Sequence, residues 1–332
     1  MTSRGNVTSN TGWRAALAGL TLLAGACGSA TPATPTAPTP PPAAAAPSLT
    51  CPAPIAVTTT AATAVATFET PAANGGDAPV TVSCVPPSGQ AFPIGTTNVQ
   101  CTATDRRGLS GSCAFPVVVS RLPTLTATKF VAFGDSVTVG IIATENPTRD
   151  PFYILRESPA EAYPTVLRQL LATRYATQSI TVINAGKGGE RATEGAGRIG
   201  GVLATHRPDV VFILQGYNDL GLGEAGIAPG LAAINDIVKT ARFRGARVFL
   251  ATLTPPNRGG TRGLSNTLVT TFNAGLRSIA RGENAVLVDL YEAMSDDPGR
   301  YNSDDGRHPN AAGYRRMAEV FAEVVRRELE VR

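Results

Sequence analysis

The stretch Phe130-Val-Ala-Phe-Gly-Asp-Ser-Val-Thr-Val-Gly140 decides the fold, because an apolar run ends abruptly in a Gly-Asp-Ser turn. A short run of β-forming residues followed directly by turn residues is typical of a strand buried in a parallel sheet. Similar runs recur downstream at 180–183, 210–214, 248–253 and 286–290. Segments with helical spacing separate them, and strands that alternate with helices predict a parallel sheet covered on both faces.

Polar residues follow four of these strands, so they fall on one predicted edge of the sheet, where such folds bind ligands. Ser136 comes after the first strand, and Gly189 lies in the glycine-rich turn after the second. Asn218 follows the third strand, and His308 follows the fifth, beyond a short helical segment. Each residue alone is weak evidence, since Ser, Gly and Asn are common in caps and turns. Their order and shared edge together indicate a single site.

The residue types at this edge predict nucleophilic catalysis. A serine hydroxyl is a weak nucleophile that needs a neighbouring base. Of the two histidines, His308 is the expected base, because His206 precedes an Arg-Pro pair at a helix end and is expected to be structural. Asp305 lies three residues before His308, so one turn can hold both. Its carboxylate is expected to accept the imidazole N–H and orient the ring toward Ser136.

Acyl transfer also needs hydrogen-bond donors for the oxyanion that forms on the attacked carbonyl. The expected donors are the backbone N–H of Gly189, the side-chain amide of Asn218 and the backbone N–H of Ser136. Asp135 and Asp219 flank these residues and are expected to support the site through hydrogen bonds.

With these motifs in place, residues 128–328 closely resemble the GDSL/SGNH hydrolase family. The family's serine, glycine, asparagine, histidine and aspartate map onto Ser136, Gly189, Asn218, His308 and Asp305. The resemblance implies an α/β fold, a three-layer α/β/α flavodoxin-like sandwich. It also implies hydrolysis of esters, thioesters or carbohydrate acetyl groups without a metal or other cofactor. The absence of a Gly-x-Ser-x-Gly elbow argues against the ordinary α/β-hydrolase fold.

Residues 1–26 are typical of an export signal, with two arginines ahead of an apolar run. The run is about ten residues long, too short to span a bilayer. It ends in Ala24-Gly-Ala-Cys27, which resembles a bacterial lipobox, so we expect lipidation of Cys27. The alternative is an ordinary secreted chain cleaved nearby. Residues 27–50 are uncharged and rich in Pro, Ala and Thr, which predicts an extended linker.

Residues 51–120 are expected to form a small all-β module. Short alternating runs separated by turn residues are typical of a β-sandwich. An exported chain permits disulfides, and the cysteines that remain beside Cys27 are Cys51, Cys84, Cys101 and Cys113. Four cysteines allow three connectivities, and the sequence does not choose among them.

The sequence around these four cysteines resembles the hyalin repeat (HYR), an immunoglobulin-like family linked with adhesion. No cluster of titratable residues in the module suggests chemistry. The module is therefore expected to act as a spacer or to bind a surface ligand.

The composition excludes several classes of protein. Hydrophobic residues make up 43% and charged residues 16%, which excludes a wholly disordered chain and a polytopic membrane protein. The formal charge is only +4, with 29 basic and 25 acidic residues, so no nucleic-acid partner is expected.

Our hypothesis is an exported serine esterase whose hydrolase domain occupies residues 124–332. A lipid on Cys27 would hold it at the membrane, on the cell surface or in the periplasm; without the lipid it would be secreted. The expected substrates are lipid or short-chain acyl esters, cleaved through an acyl-enzyme. The alternatives are a carbohydrate O-deacetylase, a lysophospholipase and, in another class, a non-catalytic surface adhesion protein that retains the fold.

The segment 141–160 is long for a strand-to-helix connection and contains Phe152-Tyr-Ile-Leu155. We expect it to form a flap beside Ser136 that contacts the acyl or alcohol group. A packed surface loop is the alternative.

Overall fold

A computed structural model describes residues 45–146, 153–257 and 263–331. The expected signal peptide, the lipidation site at Cys27 and most of the 27–50 linker lie outside these residues, as does Phe152 of the expected flap. In the described part of the chain, no helix combines the length and the apolar character needed to cross a membrane.

The N-terminal module is built entirely from β-strands in its described residues. They are β1 (Ser48–Leu49), β2 (Ile55–Thr59), β3 (Thr63–Val65), β4 (Ala73–Asn74), β5 (Thr81–Val85), β6 (Ala91–Pro93), β7 (Gly95–Thr104) and β8 (Ser110–Arg121). Four strands form a sheet in the order β2-β8-β7-β5, and β1 pairs with β4 and β3 with β6. The inward-facing side chains of Phe92, Val99, Phe115 and Val117 form the core. Alternation of buried and exposed residues along β7 and β8 produces this packing.

Two disulfides join the strands of this module, Cys51 to Cys113 and Cys84 to Cys101. The structure thereby selects one of the three connectivities that the sequence leaves open. Cys84 on β5 lies directly opposite Cys101 on β7, so antiparallel pairing of the two strands brings these cysteines together.

The C-terminal domain alternates strands and helices. Its strands are β9 (Lys129–Gly134), β10 (Ile141–Glu145), β11 (Tyr153–Glu157), β12 (Thr181–Gly186), β13 (Val210–Leu214), β14 (Arg247–Ala251) and β15 (Val286–Val288). Its α-helices are α1 (Ser136–Val139), α2 (Tyr163–Arg174), α3 (Ala192–His206), α4 (Ile227–Phe243), α5 (Asn266–Gly282), α6 (Leu290–Ala293), α7 (Pro298–Tyr301) and α8 (Ala311–Leu329). A 3-10 helix, Leu220–Gly226, precedes α4.

The five strands predicted from apolar runs form one parallel sheet in the order β12-β9-β13-β14-β15. In chain order this is the 2-1-3-4-5 arrangement of flavodoxin-like folds, so the predicted fold class is confirmed. The strand order reverses beside β9, the strand that leads into Ser136. Such a reversal leaves a crevice at the carboxyl ends of the central strands, where ligands bind in this architecture.

Helices cover both faces of the sheet. On one face α2 packs against α8, where Phe321 stacks on Tyr163 at 4.9 Å and contacts Phe212 of the sheet at 5.0 Å between ring centroids. On the other face α3 packs against α4, and α4 packs against α5. The three-layer arrangement follows from strands that are apolar on both sides, such as β13, all of whose residues are buried.

Two local details go beyond the sequence analysis or differ from it. The segment 141–160, expected to form a flap, contains an antiparallel hairpin of β10 and β11, and its contact with the acyl or alcohol group stays a prediction. The strand pairing gives hydrogen-bond partners to backbone N–H and C=O groups that an unpaired loop of this length would leave without them. The fifth strand also ends at Val288, because the Asp289 side chain accepts the backbone N–H of Glu292 and caps α6.

Candidate active site

Ser136 is the first residue of α1, immediately after the end of β9. The N-cap is Asp135, whose carboxylate accepts the backbone N–H of Val137 at 3.0 Å. Gly134 permits the close strand packing beneath this turn, because a Cβ there would lie 2.1 Å from the carbonyl oxygen of Leu214. The serine is 8% exposed, so its hydroxyl lies at the floor of the sheet edge rather than on an open surface.

Three side chains from distant parts of the sequence form one hydrogen-bonded chain. The Ser136 Oγ lies 2.9 Å from Nε2 of His308, although 172 positions separate the two residues. Nδ1 of the same imidazole lies 2.7 Å from Oδ2 of Asp305. His308 is 3% exposed and Asp305 is fully buried. The structure therefore brings together the three residues that the sequence predicts as nucleophile, base and orienting carboxylate.

The electrostatics of Asp305 fix the direction of the hydrogen bonds. Burial raises the pKa of Asp305, but hydrogen bonds from the His308 ring and from the backbone N–H groups of Arg307 and His308 outweigh burial, and the net pKa is lowered. The carboxylate is therefore ionised at neutral pH and can only accept. An Nδ1–H tautomer of a neutral imidazole donates to it, which leaves Nε2 free to accept the hydroxyl proton of Ser136.

The loop that carries His308 is held at both ends. Ser303 donates its backbone N–H to the carbonyl of His308 at 2.7 Å and its hydroxyl to Pro309 at 3.0 Å. The side-chain amide of Asn302 donates to the carbonyl of Pro255, in the segment after β14. Asn310 then caps α8 by accepting the backbone N–H of Gly313. Hydrogen bonds within the loop and to the segment after β14 thus hold the turn that carries the imidazole.

The two other predicted site residues follow β12 and β13, the strands on either side of β9 in the sheet. Gly189 lies in the connection between β12 and α3 with φ +75°, a backbone conformation that favours glycine. Asn218 follows β13 and is half-buried. Its side-chain amide donates to the carbonyl of Glu190 at 3.0 Å, which links it to the residue after Gly189. One N–H of that amide is engaged in this way, and the second remains available to another acceptor.

The two flanking aspartates both form supporting hydrogen bonds. Asp219 accepts the backbone N–H of Ala192 at 2.9 Å and so joins the start of α3 to the segment after β13. Burial raises the pKa of Asp135 to about 7, because its carboxylate lies in the interior with only partial compensation from backbone N–H groups. The Asp135 carboxyl therefore loses its proton at a higher pH than an ordinary aspartate does.

Sequence reasoning missed a set of charged and amide side chains beneath the site. Glu190 is buried and forms a two-pronged ion pair with Arg198 of α3, with both N···O distances at 2.7 Å. Gln215, directly after β13, donates its side-chain amide to the carbonyl of Glu190 at 3.2 Å. The available signal was Arg198 in the first half of α3, and a lone arginine on a helix is usually solvent-facing.

Among residues 45–146, 153–257 and 263–331, no group of three or more His, Cys, Asp or Glu side chains is arranged to hold a metal ion. The fold and the site together define a class: a flavodoxin-like α/β protein with a Ser-His-Asp hydrogen-bonded chain at the carboxyl edge of its sheet. The chain belongs to the GDSL-like lipase/acylhydrolase family, whose model matches residues 132–316. The model of the HYR domain matches residues 44–119, which agrees with the resemblance seen in the sequence.

Similar proteins include named esterases. An alignment 142 residues long, which covers 39% of this chain and 18% of the other protein, shows 25% identity to the multidomain esterase of Ruminococcus flavefaciens. A 141-residue region, 42% of this chain, is 30% identical to esterase TesA of Pseudomonas aeruginosa and spans 66% of it. Among solved structures, the lipase/acylhydrolase from Enterococcus faecalis aligns with a TM-score of 0.49 and 22% identity, covering 61% of this chain and 97% of that one.

Proposed function

We propose that this protein is an exported serine esterase that hydrolyses carboxylic ester bonds through an acyl-enzyme intermediate. The observation that supports the proposal best is the Ser136–His308–Asp305 chain, with heavy-atom separations of 2.9 and 2.7 Å. Separations in this range are those that proton transfer to a general base requires.

In the proposed mechanism, the Ser136 oxygen attacks the acyl carbon while Nε2 of His308 takes the hydroxyl proton. The imidazolium that forms is stabilised by the Asp305 carboxylate, which stays ionised because its pKa is lowered. His308 then returns the proton to the departing alcohol. In the second half of the reaction it takes a proton from the water that attacks the acyl-serine, and it returns this proton to the Ser136 oxygen as the carboxylic acid leaves.

The negative charge on the carbonyl oxygen needs donors in both halves of the reaction. We assign this role to the backbone N–H groups of Ser136 and Gly189 and to the second amide N–H of Asn218. Backbone donors held at the ends of strands need no reorganisation during the reaction, and for that reason they are effective oxyanion ligands.

Substrate class and location are further parts of the proposal. Lipid or short-chain acyl esters are the proposed substrates, and O-acetylated carbohydrate is the alternative. The two disulfides of the HYR module support export, because such bonds persist in oxidising compartments. A lipid on Cys27 would then tether residues 51–120 and 124–332 to the envelope, and the HYR module would serve as a spacer or bind a surface ligand.

The test is covalent labelling with a fluorophosphonate probe, followed by a panel of p-nitrophenyl esters, acetylated sugars and lysophospholipid. Wild type should react with the probe, and Ser136→Ala should not. Loss of the nucleophile is expected to lower kcat by about 10⁶-fold. The matched control is Ser265→Ala at an exposed N-cap whose side chain makes no capping hydrogen bond, and it should label normally. An unlabelled wild type would favour the non-catalytic adhesion protein.

A further inference from the structure

We propose that Arg198 and Glu190 form a positioning pair that holds the proposed oxyanion donors in register with the nucleophile. Neither residue touches the reacting atoms in the proposed mechanism, so their effect is transmitted through the groups that they bind. This role rests on the esterase activity proposed above.

The pair has the geometry of a two-pronged clamp. Nε of Arg198 donates to Oε1 of Glu190, and Nη2 donates to Oε2, both at 2.7 Å. The Glu190 side chain is fully buried, whereas that of Arg198 is 25% exposed. Two parallel charge-assisted hydrogen bonds fix both the distance and the angle between the planar groups. A lysine in place of Arg198 can make only a point contact, because its ammonium lacks the planar fork.

The remaining donors of Arg198 reach the ends of two strands. Nη1 donates to the carbonyl of Ala185 on β12 at 2.9 Å, and Nη2 also approaches the carbonyl of Gly134 on β9 at 3.4 Å. The guanidinium lies over the ring of Phe133, 4.2 Å from its centroid. Gly134 is two residues before Ser136, so one side chain contacts the strand that presents the nucleophile and the strand that leads into the glycine loop.

Glu190 carries the connection to the proposed oxyanion donors. It directly follows Gly189, so fixing Glu190 restrains the backbone on the C-terminal side of Gly189. Its carbonyl oxygen accepts the side-chain amides of Asn218 at 3.0 Å and Gln215 at 3.2 Å. The Asn218 amide is thereby oriented by the same residue that Arg198 holds. Gly195 leaves room for this arrangement, since a Cβ there would lie 3.3 Å from Oε2 of Glu190.

These contacts join β9, the Gly189 loop and the segment after β13 through one ion pair. Loosening the pair should therefore displace the oxyanion donors relative to Ser136 while leaving each donor chemically intact. A misplacement of about 1 Å in a catalytic arrangement can cost on the order of 10²-fold in rate. We expect Arg198→Lys to lower kcat on p-nitrophenyl acetate by about 10- to 100-fold, with KM changed less than about twofold.

The matched control is Arg277→Lys. Arg277 makes the same fork with Asp289, at 2.8 and 3.0 Å, and its side chain is 29% exposed. That pair joins α5 to the end of β15, the edge strand of the sheet. Both lysine variants should lower the melting temperature, but only Arg198→Lys should lower kcat and slow fluorophosphonate labelling. If the ion pair were purely structural, Arg198→Lys would lower the melting temperature and leave kcat and the labelling rate unchanged.

A second variant covers the outcome in which Arg198→Lys fails to fold. The double substitution Glu190→Gln with Arg198→Gln removes both charges together and so avoids an unpaired buried carboxylate. It should also lower kcat and the labelling rate by at least about tenfold. Wild-type kcat in a folded Arg198→Lys or in the folded double variant would overturn the positioning role. A wild type that neither labels nor turns over ester would instead refute the proposed esterase.

Discussion

Replacement of Asp305 by asparagine should change the tautomer of the His308 imidazole while the other features of the site stay the same. Oδ1 of Asp305 accepts the backbone N–H groups of Arg307 and His308, both at 3.0 Å, and an asparagine oxygen can keep those bonds. The amide nitrogen would then occupy the position of Oδ2, 2.7 Å from Nδ1 of His308. Since that nitrogen donates, Nδ1 would have to accept.

The consequence for catalysis follows from the tautomer. With Nδ1 unprotonated, the ring proton lies on Nε2, which then cannot accept the Ser136 proton across the 2.9 Å contact. The equivalent change in a serine triad costs about 10⁴ in kcat. At about 1.36 kcal/mol for each factor of ten, this corresponds to a barrier roughly 5 kcal/mol higher. KM for p-nitrophenyl acetate should change little, because Asp305 makes no proposed contact with substrate.

Asp304 provides the matched control for the same chemical change one residue away. It is exposed, and its carboxylate accepts the backbone N–H of Glu145 at 2.9 Å, a bond that an asparagine oxygen can also accept. Steady-state hydrolysis and fluorophosphonate labelling should leave Asp304→Asn within about twofold of wild type. The reasoning would be refuted if Asp305→Asn retained more than a tenth of wild-type kcat. It would also be refuted if Asp304→Asn lowered kcat as far as Asp305→Asn does.

Two further predictions concern stability. Burial raises the pKa of Asp135 to about 7, so the folded state keeps a proton that the unfolded state loses near pH 4, and stability should fall as pH rises between these values. The free energy of unfolding should fall by at most about 4 kcal/mol between these pH values, and Asp135→Asn should lack this pH dependence. Equal pH dependence in urea titrations of wild type and Asp135→Asn would contradict the assignment. Cys51 and Cys113 lie 62 positions apart, so their disulfide restricts a long loop of the unfolded chain. Replacing both by alanine should lower the free energy of unfolding by about 4 kcal/mol. A loss below about 1 kcal/mol, measured by circular dichroism, would contradict this argument.

The sheet of the C-terminal domain was predictable because its signals are local. An apolar run followed by turn residues marks a buried strand wherever it occurs, and the predicted runs correspond to β9, β12, β13, β14 and β15. The proximity of Ser136 and His308 was predictable for a related reason. Parallel strands share one carboxyl edge, so residues that follow different strands are expected at the same place.

Other features depend on which segments become neighbours, and no local pattern carries that information. The hairpin of β10 and β11 was missed because half-exposed strands lack a strong apolar run. Arg198 was missed because a lone arginine in a sequence gives no sign of the Glu190 carboxylate and the strand-end carbonyls that surround it in the fold.

The amino-acid sequence by itself determined the layered α/β architecture, the all-β module and the identity of the serine, histidine and aspartate at the sheet edge, because periodicity and residue chemistry act over short distances. Only the tertiary structure decided the pairing of the cysteines, the hairpin after Ser136 and the ion pair beneath the glycine loop. Each of these depends on contacts between segments far apart in the chain, and their proximity arises only when the whole sheet and its helices pack together.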